Sequence, residues 1–239
     1  MIFNSPLGVG GRNFNEIYMR HLEQELESLR QDVIDMWQLV ISQVANTGDA
    51  ILSFDKELAM KVSMREKKVD AFELKIDSFC ENIIALHQPV AVDLRFVLAA
   101  FKINSNLERI GDFAYGISRI LISNPSVILD AELITQTNLR GMVEQVNKML
   151  VQGLDAFENE KSDFAAAIFS EDYKVDEINA QAPQIIANYI QKNPDRALEC
   201  LHLMGAFRKM ERMGDHCSNI AEEIFFYIDA KVLKHAPKK

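Results

Sequence analysis

The stretch "LERIGDFAYGISRI", residues 107–120, has the apolar spacing of a helix, yet it sets Gly111 in mid-helix between Glu108 and Asp112. A glycine there is less favourable than alanine by about 1 kcal/mol. Further along, "MERMGDHCSNIAEEI", residues 210–224, carries the same Glu-Arg-apolar-Gly-Asp core. The same unfavourable pentapeptide, present twice, points to a duplicated unit in which the glycine has a use that offsets its helix penalty.

The flanking sequence is organised to match. From about residue 15 to residue 45, Leu22, Leu26, Leu29, Val33, Met36, Val40 and Val44 recur at three- and four-residue steps, the period of a helix. "NTGD", 46–49, is expected to end it, with Gly48 at the C-terminus and Asp49 as a fresh N-cap. A second helix then runs to about His87 on Val62, Val69, Phe72, Ile76, Phe79, Ile83 and Leu86. "QPVAVDLR", 88–95, opens a third with Pro89 at or near its first turn, where a missing N–H does no harm. That helix ends near "SNPS", 123–126.

Three more helices follow, over about 128–157, 164–191 and 196–231, separated by "ENEKSD" and "KNPD". Pro183 should kink the middle one near residue 179. "KVD" recurs at 68–70 and 174–176, 106 residues apart, while the Glu-Arg-x-Gly-Asp core recurs 103 apart, which fits a slightly shortened link between corresponding helices. The expected fold is therefore all-α, a six-helix bundle of two tandem three-helix repeats. A flexible tail at 1–13 precedes the first repeat at 14–124, and the second, 125–232, is followed by a C-terminal tail at 233–239.

Composition narrows the function. The 239 residues are 48% hydrophobic with only 10 Gly and 6 Pro, enough apolar side chains for a core and few breaks. A net charge of −9 argues against nucleic acid as a partner, because no cationic footprint outweighs the acids. Cys80, Cys200 and Cys217 are odd in number and lack C-x-x-C spacing, as expected of reduced, buried thiols in a cytoplasmic protein. The first residues lack a signal-peptide pattern, and no apolar run nears the ~20 residues of a membrane span. Any meeting with a membrane is expected through partners or at its surface.

Four acidic pairs, each spaced i, i+4, stand out: Glu66/Asp70, Glu108/Asp112, Asp172/Asp176 and Glu211/Asp215. Such a pair projects from one helix face, and alone it destabilises a helix by a few tenths of a kcal/mol. Val69, Leu107, Val175 and Met210 each immediately precede an acid, which places the acids on the flank of the apolar stripe. Two such flanks facing each other make an oxygen-lined slot. Oxygen donors suit magnesium or manganese, and carboxylate-rich bundles also hold iron. The pattern leaves the metal open, zinc included. Gly111 and Gly214 would then let a facing helix, a metal or its waters come close, the plainer reading being helix packing alone. Arg109 and Arg212 are expected to form ion pairs on the outer face.

The second copy adds His216, Asn219 and Glu222 as further candidate ligands, so the second site should be richer in donors; His216 is read more readily as an ordinary surface residue or a neighbour of the ligands. Enzymatic signatures are weak. Glu199 and His202 make one E-x-x-H where a ferritin-like centre needs two, and there is no Gly-rich phosphate loop, G-x-S-x-G or H-E-x-x-H. His21, His87 and His235 are isolated in sequence and are read as structural.

"KVDAFELKI", "QPVAVDLR", "LERIGDFA", "KVDEIN" and "MERMGDHCSNIAEE" together make the chain resemble the PhoU family over about residues 16–230. The resemblance implies two three-helix repeats in a six-helix bundle, with metal held on the surface by the acidic motifs. It implies a regulator rather than an enzyme, one that shuts off the phosphate-starvation response and restrains phosphate uptake when phosphate is plentiful. The implied partners are the PAS-type region of a sensor histidine kinase, the ATPase subunit of the phosphate ABC transporter, and a second copy in a homodimer. A metal-dependent enzyme or a metal-storage bundle using the same acids is the alternative. The sequence departs from the family pattern at Gly116, where the first motif should be followed by the Asn that the second has as Asn219, and at Pro183.

Overall fold

Seven helices make up the computed structural model, which describes residues 10–124 and 130–230, with side chains over 19–124, 130–162 and 167–230. They are α1 (Gly10–Ser53), α2 (Lys56–His87), α3 (Val92–Ser123), the single-turn-scale α4 (Ala131–Gln136), α5 (Leu139–Asn159), α6 (Ser162–Lys192) and α7 (Ala197–Asp229). A 3₁₀ turn, Pro194–Arg196, leads into α7. The six long helices form the two three-helix units that the sequence repeat requires. Residues 1–9, 125–129 and 231–239 lie outside the described residues, and with them the end of "SNPS", the start of the fourth expected helix, most of the expected N-terminal tail, the whole C-terminal tail and His235.

The apolar stripes do what their spacing predicts. Leu22, Leu29, Val33, Met36, Val40 and Val44 of α1 are all buried, as are Val62, Val69, Ile76 and Ile83 of α2. Leu86, placed in the same series, is 69% exposed where α2 nears its end. The core runs without interruption through both repeats. Trp37 ties them together: its indole N–H donates to the Leu150 carbonyl of α5 at 3.1 Å, and its ring meets Phe157 at 5.9 Å between centroids.

Within the first repeat α1, α2 and α3 pack on one another; within the second α6 and α7 pack together and both meet α5. The repeats join through α3 against α7 and α1 against α5. Pairings of Lys102 with Glu223 and of Asn106 with His216 show α3 and α7 running antiparallel. Among the long helices α2 and α6 pack chiefly within their own repeats.

Several boundaries differ from expectation. The helix does not stop at "NTGD"; α1 continues through Gly48 to Ser53. A Cβ on Gly48 would run into the Val143 side chain of α5, so this glycine serves close packing rather than termination. The chain turns instead at Phe54, with φ of 58°, and Asp55 caps α2 by accepting from the Leu58 N–H at 2.9 Å. Pro89 lies outside α3, in the connection before Ala91, whose φ of 48° ends any helical path. The expected fourth helix is broken at Asn138, φ 51°, which separates α4 from α5. The expected fifth helix, by contrast, is present as α6, Ser162–Lys192, with Pro183 inside it.

Candidate metal centres

In the first repeat, α2 and α3 bring Glu66, Asp70, Glu108 and Asp112 into one cluster. Asp112 is its hub. Glu66 is only 9% exposed and lies beside Asp112, and among the described residues its buried Oε2 has no hydrogen-bond partner. Burial first, and then Asp112, Asp70 and Glu108, push the Glu66 carboxyl up to about 8. Burial and Asp112 likewise raise Glu108 to about 7, with Arg109 partly offsetting them. Arg109 binds both Glu108 and Asp112, at 3.5 and 3.4 Å, as the sequence suggested.

The second repeat builds the corresponding cluster on α6 and α7. Burial raises the Glu211 carboxyl, and Asp215, Asp176 and Asp172 add to the rise while Arg212 opposes it. Asp172, 3% exposed, accepts a hydrogen bond from Ser218 Oγ at 2.9 Å. All eight acids therefore fall into two groups of four, one per repeat.

The glycines mark the same place in each. A Cβ on Gly111 would come 3.2 Å from Val69 and 3.3 Å from the amide oxygen of the buried Gln43. A Cβ on Gly214 would come 2.8 Å from Asp172 Oδ1 and 3.4 Å from Val175. Val69 and Val175 belong to the two "KVD" repeats, so each glycine admits the same residue of the neighbouring helix. In the second copy it also admits a carboxylate oxygen.

Carboxylates that raise one another's proton affinity suit a divalent cation, which supplies positive charge without a proton. Asp70 is exposed and Asp112 and Asp215 are half-buried, so solvent reaches both clusters. Both clusters offer the oxygen donors a hard metal takes, though among the described residues neither brings one oxygen from each of three acids within 4.8 Å, so an ion would have to draw the side chains together.

The PhoU domain family model matches residues 33–121 and 139–224, two copies that contain the two clusters. The chain belongs to the PhoU family. It is 34% identical over 223 residues to the phosphate-specific transport system accessory protein PhoU of Serratia marcescens, covering 93% of this chain and 90% of that protein. Against the Escherichia coli K12 protein of the same name the identity is 33% over 223 residues, covering 93% and 91%. The crystal structure of PhoU from Pseudomonas aeruginosa is similar with a TM-score of 0.83 at 31% identity, covering 87% of this chain and 99% of that one. That of the phosphate transport system regulatory protein PhoU from Streptococcus pneumoniae gives 0.79 at 25% identity, covering 88% and 98%.

Against this PhoU fold, His216 and Asn219 of the second motif reach across to α3, while Asp215 still acts on His216 by charge. His216 Nδ1 lies 2.8 Å from Asn106 Oδ1 on α3, and Asn219 Nδ2 lies 3.4 Å from the same oxygen. His216 also meets the Phe113 ring at 5.7 Å, and burial lowers its basicity. These two residues join α7 to α3 and leave Asp172 and Asp176 to α6. Glu222 is half-buried further along α7.

The first cluster, by contrast, has an acid that the pair spacing did not include. Glu73 lies close enough to Glu108 and Asp70 to act on both by charge, and its own carboxyl is raised by burial and then by Asp77 and Asp70. Its i+3 spacing from Asp70 was the available signal. The α6 counterpart of this extension holds Asn179, so in carboxylates the first site is the richer one. Gly116 leaves room for Lys209, whose Cε and Nζ would lie 3.1 Å from a Cβ there.

Proposed function

We propose that this chain is the accessory regulator of a phosphate-specific transport system, acting in the cytoplasm as a homodimer to switch off the phosphate-starvation response and to restrain phosphate uptake when phosphate is ample. It does so by contact, linking the ATPase subunit of the phosphate ABC transporter to the PAS-type region of the sensor histidine kinase. The observation that carries this reading is family membership across 93% of the chain, in relatives named for accessory service to phosphate-specific transport. Among the described residues no helix is long and apolar enough to cross a membrane, so the chain meets these membrane components as a docking partner. The eight clustered acids, as cation sites, set the charge of the faces that α2/α3 and α6/α7 turn outward.

The test is genetic and biochemical together. Deleting the gene should leave phosphate-starvation genes expressed in ample phosphate, and the wild-type chain should restore repression. Pull-downs from cells grown in high phosphate should recover the kinase and the transporter ATPase, with recovery falling as salt rises. Normal repression in the deletion strain would defeat the role. Repression by a variant that binds neither partner would defeat the contact mechanism, and phosphatase or oxidase turnover by metal-loaded protein would favour an enzyme instead.

A further inference from the structure

The sequence leaves His21 and His87 apart, one near the start of a long helix and the other at the end of the next. Folding brings them together around one carboxylate. His21 and Glu25 stand i, i+4 on α1, with His21 Nδ1 3.5 Å from Glu25 Oε1. His87, the last residue of α2, places Nε2 2.8 Å from Glu25 Oε2. The imidazoles stack at 5.3 Å between centroids, 24° apart in plane, and one ligand atom from each residue falls within 4.8 Å of the others. Among the described side chains no lysine or arginine pairs with Glu25, so its charge is directed at the two rings.

We infer that His21, Glu25 and His87 form a binding site for a zinc-like divalent cation at the α1–α2 end of the first repeat. Two imidazole nitrogens and a carboxylate oxygen are the donor set of an open tetrahedral zinc centre, with solvent completing the shell. Zinc–nitrogen bonds of about 2.0 Å place tetrahedral ligands about 3.3 Å apart, between the two separations seen here. Closing the three donors on one ion is a side-chain adjustment and needs no movement of either helix. The donors differ from those of the acidic clusters, being nitrogen-rich. Glu66 lies 21 residues before His87 on α2, or about 30 Å away at the helical rise. A bound ion would clamp the amino-terminal part of α1 onto the end of α2 and thereby fix the corner where α2 passes into α3.

Zinc chloride titrated against a chromophoric chelator into the full chain carrying Asp112→Ala and Asp215→Ala isolates this site from the acidic clusters. One zinc should bind competitively with the chelator. Adding Glu25→Gln or His87→Gln, with helix content followed by circular dichroism, should weaken binding at least tenfold. In the same Asp112→Ala, Asp215→Ala chain, zinc should shift the ring nitrogen resonances of His21 and His87 while leaving those of His202 unmoved. Zinc affinity unchanged by both substitutions, or resonances of His21 and His87 that do not respond to zinc, would show a plain imidazole–carboxylate contact and overturn the site.

Discussion

Glu66 is the residue at which the two readings of the acids meet, since its buried carboxyl needs either a proton or a cation. Its folded value of about 8 lies above its ordinary 4.5, so between those values the native state holds a proton that the unfolded chain has released. Stability of metal-free protein must therefore fall as pH rises through that window, by at most about 1.4 kcal/mol per pH unit for one proton. In EDTA, Glu66→Gln should flatten the drop in urea midpoint between about pH 6 and pH 8.5; an unchanged slope would show that Glu66 is not the group responsible. Gly214 supplies a second test, because leucine is the better helix former by nearly 1 kcal/mol. A side chain there meets Asp172 Oδ1 and Val175, so Gly214→Leu should lose about 1–3 kcal/mol as overpacking does. A variant more stable than wild type with full metal content would show that the glycine is not there for close approach. The i, i+4 spacing made all eight acids legible in the sequence, because helical periodicity alone fixes which side chains share a face. It could not say that His216 turns to Asn106, since the angle at which α7 meets α3 is a tertiary fact. Glu73 was visible as an i+3 neighbour of Asp70, but only the packing of α2 on α3 brings it to Glu108.

At the scale of the helix, the six long elements follow directly from their apolar stripes, and the structure departs from them where a glycine or proline reads locally as punctuation. Gly48 is the instructive one. Local chemistry makes glycine a helix terminator, yet here the neighbouring α5 decides its use, as Val143 occupies the space a side chain would take. Gly48→Ala should therefore be destabilising although alanine favours helix. In a double-mutant cycle with Val143→Ala the two changes should couple by about 1 kcal/mol or more, since the smaller partner relieves the collision. Additive effects in urea denaturation would return Gly48 to a purely local role. Asn138 shows the converse: its left-handed backbone divides α4 from α5 within a stretch whose apolar spacing reads as one helix.

For the whole molecule, duplication explains why the same arrangement appears twice and why each copy needs the other. α3 and α7 pack together at the centre and share one core with the rest of the bundle, so each repeat completes the burial of its partner's inner helix. The acids lie where α2 and α6 meet those inner helices, with Glu66 and Asp172 buried and Asp70 exposed. The duplication was readable from "KVD" and Glu-Arg-x-Gly-Asp; which helices face one another across the repeats was not, because no local pattern encodes it. We propose that each repeat assembles its four carboxylates to hold a cation. The most direct test compares wild type with the Asp112→Ala, Asp215→Ala double variant, by elemental analysis after metal loading and desalting and by thermal unfolding in EDTA. The account predicts that the variant loses metal from the clusters while its metal-free form melts higher than wild type, because repulsion has been removed. Unchanged metal content, or a metal-free variant that melts lower, would contradict it.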